Sequence, residues 1–205
     1  MTKHTAPVPA PRTLCFGGTF NPIHHGHLIC ARAVAEAKGY DQIAIIPTSK
    51  PPHKDSSANL APAVARSKMC QLAIEGSALF NIEDLELKRT GPSYTIDTAR
   101  EFARRGWGKV HWLIGADMLN YLPKWHLAHQ VIEEIEFVII ARPGLVLDWP
   151  LLPPEFQHLR QNVVVAPLVE ISATQIRGRV AGGLSIDYLT PEPVCRYIRE
   201  NGLYR

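Results

Sequence analysis

The sequence has little of several features that would assign its class at once. It contains only four cysteines, no CxxC pair, and no apolar run that approaches the roughly 18 residues of a membrane span. Cysteines that are few and unpaired in sequence are typically reduced and mostly buried, and this pattern argues against structural zinc. No basic and then apolar stretch of signal-peptide type follows Met1, so we expect a cytoplasmic protein without a membrane partner.

The sequence also lacks a strong charge bias. The net charge of +3 on 205 residues does not indicate nucleic-acid binding, although it is compatible with small anionic substrates. An apolar content of 46% fits one ordinary globular domain. Residues 1–12 carry three prolines and no periodicity, so we predict a flexible tail there and a single domain over residues 13–205. Whether the chain forms a homo-oligomer stays open.

Short runs rich in Ile and Val alternate with segments of helical period. This alternation predicts an α/β fold, a Rossmann-like doubly wound parallel sheet of about six strands with a small C-terminal helical portion. We predict strands at Thr13–Gly17, Gln42–Pro47, Phe80–Asp84, Val110–Gly115, Glu136–Ala141 and Asn162–Ala166. We predict helices at His27–Lys38, Pro62–Gly76, Thr95–Arg105, Ala128–Glu134, Ser172–Ala181 and Glu192–Asn201. Ligands of such sheets bind outside the carboxyl ends of the strands.

The segment GGTFNPIHHGHL, Gly17–Leu28, joins the first predicted strand to the first helix. Gly17 and Gly18 leave the backbone without side chains, and the helix start adds unpaired N–H groups and a positive dipole end. Together these features favour a bound phosphate. The segment is neither a G-x-G-x-x-G fingerprint nor a Walker A loop, which disfavours hydride transfer and P-loop hydrolysis.

His24 and His27 lie three residues apart at this predicted helix start. Both imidazoles can face the anion and donate hydrogen bonds to a phosphoryl oxygen as charge builds in a transition state, whereas His25 is expected to point elsewhere. Metal ligation and a plain pair of surface histidines remain the alternatives. The glycine pair and the adjoining helix start favour phosphate binding over both.

A second candidate phosphate site follows the last predicted strand, in ISATQIR. Ser172 can cap the helix that begins there, and Thr174 and Arg177 share one face of it. The guanidinium of Arg177 matches the geometry of phosphate oxygens. On this segment alone, an ordinary capped helix with a surface arginine is the favoured interpretation, and the pairing with the first motif argues for a phosphate site.

Other candidate positions also have two interpretations. Gly115 and Asp117, after the fourth strand, suit a nucleoside ribose, but they also suit a strand-end turn with a capping aspartate. Lys54 lies in an unpatterned loop, Thr48–Asn59, and is either a phosphate contact or a solvated lysine. Trp125 can stack on a pyridine ring or be buried in the core.

The two motifs, taken with several segments between them, carry a family resemblance. GGTFNPIHHGH resembles the (H/T)-x-G-H signature of the nucleotidyltransferase superfamily, and ISATQIR resembles its I-S-S-T-x-I-R signature. The segments IPTSKPPHK, SYT, IGADML, KWH and ARPG are similar to those of bacterial nicotinate mononucleotide adenylyltransferases. The likeness runs from about Thr13 to the C-terminus.

The resemblance implies transfer of an adenylyl group from ATP to nicotinate mononucleotide, with Mg²⁺ carried by ATP and no metal site of the protein. It implies catalytic roles for His24, His27 and Arg177. It implies ATP contacts from Gly17, Gly18, Thr19, Phe20, His27, Gly115, Asp117, Ser172, Thr174, Ile176 and Arg177. It implies contacts to the acceptor nucleotide from Lys54, Tyr94, Thr95, Trp125 and His126.

One residue departs from the family pattern, and other functions stay open. Asn21 stands where many members have Asp, so any role of a charge there is in doubt. Nicotinamide mononucleotide and phosphopantetheine are alternative acceptors, although phosphopantetheine enzymes usually have Thr at the position of His24. A module that senses ATP without turnover is the alternative from another class.

Overall fold

The computed structural model of the protein describes residues 11–52, 59–141, 147 and 149–205. Its centre is a sheet of six parallel strands with the spatial order β3-β2-β1-β4-β5-β6. The strands are β1 Thr13–Gly18, β2 Gln42–Pro47, β3 Phe80–Ile82, β4 Val110–Gly115, β5 Ile135–Ala141 and β6 Val163–Val165. The order reverses between β1 and β4, which places the switch point of a doubly wound sheet there.

Eight α-helices and three 3₁₀ segments occur within the described ranges. The helices are α1 His25–Lys38, α2 Ala63–Ile74, α3 Leu85–Lys88, α4 Thr95–Arg104, α5 Ala116–Leu119, α6 Ala128–Glu134, α7 Ala173–Ala181 and α8 Glu192–Glu200. The 3₁₀ segments are Leu122–Lys124, Trp149–Leu151 and Pro154–Asn162. None of these helices is long and apolar enough to cross a bilayer.

Helices cover both faces of the sheet, and each face has its own apolar core. On one face, α1, α2, α7 and α8 contribute Val34, Met69, Ile176 and Ile198 to a cluster that contains Leu14 of β1. On the other face, α4 and α6 pack with a 3₁₀ segment around Trp112 of β4. Burial on both faces explains why the central strands read as almost unbroken apolar runs.

The structure confirms the predicted fold class and the six predicted strands, with bounds that differ by at most two residues. Gly39 ends α1 in the left-handed conformation at φ +66°, which is the usual role of glycine after a helix. The sequence-based assignment missed α3, α5 and the 3₁₀ segments. α3, α5 and two of the 3₁₀ segments contain three or four residues, which is too short to show a helical period, and the nine residues of Pro154–Asn162 form a 3₁₀ helix, which has three residues per turn instead of 3.6.

Gly17 faces the indole of Trp112 so closely that a side chain would collide with it. A Cβ atom built on Gly17 would lie 2.5 Å from Cζ2 of Trp112. We expect Gly17→Ala to lower the free energy of unfolding by about 1–3 kcal/mol. The indole ring is rigid, and β1 is paired with β2 on one side and β4 on the other, so neither the ring nor the strand can easily make room for the new methyl group. Urea unfolding measures this change.

Gly178→Ala provides the matched control for this prediction. Gly178 lies inside α7, and a Cβ atom built on it has no neighbour within 4 Å. Here the same substitution should raise stability by roughly 0.5–1 kcal/mol, because alanine favours a helix interior. Equal effects at the two positions would contradict the steric explanation.

Candidate active site at the carboxyl ends of the strands

A cavity of about 760 Å³ opens at the carboxyl ends of β1 and β4, at the switch point of the sheet. Its walls come from segments that follow five of the six strands. The lining includes Gly17, Gly18, Thr19, Phe20, Asn21, His24, His27, Thr48, Glu86, Tyr94, Thr95, Gly115, Asp117, Trp125, His126, Pro167, Ser172, Thr174 and Arg177. The volume is that of an ordinary small-ligand site.

The turn after β1 forms the floor of this cavity. A Cβ atom on Gly18 would lie 2.9 Å from the ring of Phe20, so the glycine allows the ring to fold back over the strand end. Phe20 itself has φ +43°, an uncommon conformation for a bulky side chain. Its ring packs edge-on against His27 at 5.2 Å. Backbone strain of this kind persists where the surroundings hold it, often at functional sites.

His24 and His27 lie together at the start of α1, with their rings stacked 3.7 Å apart. The main-chain N–H of His24 donates to Nδ1 of His27 at 3.2 Å. With Nδ1 used as an acceptor, the neutral ring of His27 carries its hydrogen on Nε2. His25 does not line the cavity, and its main-chain N–H donates to Leu189 instead.

Burial, with a smaller contribution from His25, lowers the pKa of His24 from 6.5 to about 4. An unfolded chain takes up this proton near pH 6.5, whereas the folded chain resists it. The stability contributed by neutral His24 is therefore fully present above pH 6.5 and is lost as the pH falls toward 4.

We expect the free energy of unfolding to fall by up to ~3 kcal/mol over this pH range because of His24. The His24→Gln variant should lack this part of the pH dependence, which urea titrations at several pH values measure. In NMR spectra of the wild type, the His24 ring should titrate near pH 4. A midpoint near 6.5 would contradict the burial argument.

The second motif reaches the first one across 156 positions of sequence. Nη1 of Arg177 donates to the main-chain oxygen of Asn21 at 2.9 Å, and Nη2 donates to Thr174 at 3.2 Å. Ser172 caps α7 as predicted, because its Oγ accepts from the N–H of Gln175 at 3.1 Å. The Ser172 hydroxyl keeps its own hydrogen for donation to a ligand.

Asn21 uses its whole carboxamide to hold neighbouring segments. Nδ2 donates to the main-chain oxygen of Asn59, and Oδ1 accepts from the N–H of Ala61 and from the hydroxyl of Tyr204 at 2.8 Å. An aspartate could not donate to the Asn59 carbonyl. The asparagine that stands here in place of the family's usual Asp therefore holds the neighbouring segments together through its amide hydrogen bonds.

The opposite wall carries aromatic side chains. Tyr94, at the N-cap of α4, stacks on His126 with the ring centroids 4.1 Å apart. Trp125 is half-buried and packs edge-on against Phe137. Between the walls, Asp117 is exposed and lies so close to Gly115 that a Cβ atom there would collide with its carboxylate.

Most of the buried polar atoms that lack a partner face this cavity. Five buried side-chain atoms in the described ranges have no hydrogen-bond partner, and four belong to lining residues: His24 Nδ1, Glu86 Oε2, Trp125 Nε1 and Arg177 Nε. A buried polar atom without a partner costs free energy, about 1–3 kcal/mol. Their concentration in one cavity indicates a polar ligand.

Among the described residues proposed from the resemblance, Ile176 does not line the cavity. Ile176 is fully buried in the apolar core beneath α7. Lys54 lies outside the described residues. Conversely, the sequence analysis did not single out Glu86 or Thr48 as ligand contacts, and both line the cavity. Glu86 stands in a four-residue helix without periodicity, so no sequence signal marked it.

No group of three or more His, Cys, Asp or Glu side chains is placed to hold a metal ion in the part of the chain that the structure describes. The four cysteines form no disulfide bond, and Cys15, Cys70 and Cys195 are buried.

Comparisons with known proteins agree with this geometry. The family described as Cytidylyltransferase-like matches residues 15–179. A probable nicotinate-nucleotide adenylyltransferase of Geobacillus thermodenitrificans is 43% identical over 190 residues, which cover 92% of this chain and 84% of the relative. The nicotinate-nucleotide adenylyltransferase of Bacillus subtilis is 38% identical, and the match covers 92% of this chain and 96% of that protein.

Solved structures share the fold at low sequence identity. The nicotinic acid mononucleotide adenylyltransferase of Plasmodium falciparum, complexed with NaAD, aligns with a TM-score of 0.75 at 19% identity. The alignment covers 94% of this chain and 97% of that one.

Proposed function

Since the chain belongs to the Cytidylyltransferase-like family and, within it, to the nicotinate-nucleotide adenylyltransferases, we propose that it transfers the adenylyl group of ATP to nicotinate mononucleotide. The products are nicotinate adenine dinucleotide and pyrophosphate, so the enzyme serves NAD biosynthesis. The observation that carries this proposal is the hydrogen bond between Arg177 and Asn21, which joins the two motifs in one cavity.

The reaction is a direct displacement at the α-phosphorus of ATP. An oxygen of the 5′-phosphate of nicotinate mononucleotide forms the new bond to phosphorus, and the bond between phosphorus and the bridging oxygen of pyrophosphate breaks. No nucleophile of the protein is needed, because such transfers depend on positioning and charge stabilisation.

The imidazoles at the start of α1 act on the α-phosphate. The Nε2–H of His27 is a hydrogen-bond donor within the cavity, and we assign it to an oxygen that gains charge in the transition state. His24 Nδ1 is buried without a partner and can serve a second oxygen. An anionic ligand favours protonation, so bound ATP should raise the pKa of His24 above its value in the empty cavity.

The start of α7 holds the departing pyrophosphate. Within the described residues, Arg177 uses two of its five N–H groups on the protein, and its Nε–H is buried without a partner. The Ser172 hydroxyl and the positive end of α7 add further donors. Gly115 and Asp117 lie between the two phosphate sites at the end of β4, where we place the ATP ribose.

The acceptor nucleotide occupies the aromatic wall. We place its pyridine ring against Trp125, beside the stacked pair of Tyr94 and His126. Tyr94 and Thr95 form the start of α4, whose unpaired N–H groups favour a carboxylate over a carboxamide. We therefore propose that the enzyme prefers nicotinate mononucleotide to its nicotinamide counterpart.

Enzymes of this family with ATP as substrate generally use Mg²⁺. The described lining offers only two carboxyl groups, Glu86 and Asp117, and no cluster of metal ligands. We propose that the ion arrives on ATP, held by phosphate oxygens and water, where it neutralises phosphate charge.

Pyrophosphate release on mixing the protein with ATP, Mg²⁺ and candidate acceptors tests the proposed function. We expect product with nicotinate mononucleotide, much less with nicotinamide mononucleotide, and none with phosphopantetheine. Turnover with phosphopantetheine alone would overturn the acceptor assignment. Binding of ATP without pyrophosphate release from any acceptor would indicate a non-catalytic ATP sensor.

A further inference from the structure

Glu86 is a buried acid in the cavity wall to which neither motif draws attention. The residue is only 3% exposed, although it lies in a short surface helix, α3. Its Oε1 accepts from the hydroxyl of Thr98 at 2.9 Å. Its Oε2 is buried and has no hydrogen-bond partner in the described part of the chain. Burying a carboxyl oxygen without a hydrogen bond costs free energy, so the position indicates that a ligand donates to Oε2.

The surroundings of Glu86 belong to the wall that we assign to the acceptor nucleotide. Thr98 lies one helical turn after Tyr94, and its N–H donates to the Tyr94 carbonyl at 3.3 Å. Arg89 donates to the same carbonyl and to the Thr98 hydroxyl. Glu86 therefore lies beside the first turn of α4.

The charge state of Glu86 has two opposing causes. Burial is the largest cause and raises the pKa of this carboxyl, whereas the nearby hydroxyls of Thr98, Ser93 and Thr48 and the positive charge of Arg89 oppose the rise. The net direction is a raised pKa, and the hydroxyls and the cation that face Glu86 limit how far the protonated form is favoured.

The chemistry of the acceptor leaves one kind of partner for such an oxygen. A carboxylate repels the phosphate and the pyridine carboxylate of nicotinate mononucleotide. The pyridinium ring carries a positive charge but no N–H group, so near neutral pH the two hydroxyls of the ribose are the main hydrogen-bond donors of this nucleotide. An acceptor oxygen without a partner fits one of these hydroxyls.

We propose that Glu86 Oε2 binds a ribose hydroxyl of the acceptor nucleotide and so positions its 5′-phosphate for attack. The inference rests on the proposed function. A charge-assisted hydrogen bond fixes the sugar at the wall of α4, while Trp125 holds the ring. The reacting phosphate then has one preferred direction toward the α-phosphate of ATP.

Steady-state kinetics of Glu86→Gln with both substrates test the proposal. This substitution keeps the side-chain shape and an acceptor for Thr98 while it removes the charge. We expect the KM for nicotinate mononucleotide to rise about tenfold and the KM for ATP to change less than about twofold. Glu83→Gln is the matched control, because Glu83 lies three residues earlier and does not line the cavity. Its KM values should equal those of the wild type.

Acceptors that lack the 2′- or the 3′-hydroxyl separate a contact from a packing effect. In the wild type, one of the two deoxy analogues should show a KM about tenfold higher, and Glu86→Gln should add less than about twofold with that analogue. The difference between the parent acceptor and its deoxy analogues is measured with the wild-type enzyme, so this part of the test does not depend on whether Glu86→Gln folds well. Equal use of the parent and both analogues by the wild type would overturn the proposal.

The remaining outcomes also decide between explanations. An equal rise of the two KM values in Glu86→Gln, or an unchanged KM for the acceptor, overturns the role of Glu86 while the proposed function stands. Absence of pyrophosphate release by the wild type with nicotinate mononucleotide refutes the proposed function itself, and the inference with it.

Discussion

Replacing His27 by alanine will lower kcat about a hundredfold or more, while the dissociation constant of ATP changes less than about threefold. The reason is the transition-state role assigned to the ring. Its Nδ1 accepts from the His24 N–H, so the neutral ring carries its hydrogen on Nε2, and an oxygen of the α-phosphate gains charge only as the reaction proceeds. Rapid-quench kinetics and calorimetric ATP titration measure the two quantities separately.

Two further substitutions make this result specific. His27→Asn retains a side-chain acceptor for the His24 N–H but loses the ring, so its kcat should also fall strongly. His25→Ala removes an imidazole that does not line the cavity, and its kcat should stay near that of the wild type. Equal losses of kcat and ATP affinity in His27→Ala would assign the ring to ground-state binding instead.

Replacing Arg66 by methionine will cause the largest loss of stability that we expect from one substitution. Arg66 is 1% exposed, and its guanidinium donates to the main-chain oxygens of Ala61, Thr19 and Ser49 at 3.0, 2.6 and 3.0 Å. These carbonyls belong to the segments after β1 and β2 that border the cavity. Burial lowers the pKa of Arg66, but a guanidinium titrates so high that it stays charged.

The expected loss follows from the carbonyls that Arg66→Met leaves without a donor. Each costs about 1–3 kcal/mol when buried, so we expect a total of roughly 3–5 kcal/mol and a Tm lower by roughly 10 °C. Arg32→Met is the matched control, since Arg32 is exposed and pairs with the exposed Glu36 one turn along α1. Its effect should stay within about 0.5 kcal/mol. Similar shifts in both variants would contradict the role of the buried network.

The elements of the fold were predictable because their signals are local. The apolar runs predicted β2 and β4 with their observed bounds, and Ser172 was recognised as the cap of α7 from its place before a helical pattern. A capping residue acts on N–H groups two or three positions away, so the information lies within one turn. The assignment of the segment after β1 as a phosphate site rests on the same kind of local signal and stays a prediction.

Several properties of the candidate site could not be predicted from the sequence. The two glycines after β1 were expected to open the backbone to an anion, but the structure adds a steric reason, the rings of Trp112 and Phe20. Glu86 had no distinguishing pattern, and its importance arises from burial beside Thr98. The low pKa of His24 likewise comes from removal of water, which the residue type does not reveal.

The sequence by itself determined the succession of strands and helices along the chain and the class of the sheet, because periodicity, caps and turns depend on neighbours a few positions apart. Only the tertiary structure decided that Arg177 meets Asn21, that Glu86 Oε2 lacks a partner in the described part of the chain, and that Arg66 joins three segments under the cavity. Such contacts and the loss of hydration that accompanies them depend on how distant segments pack, and a linear pattern does not contain that information.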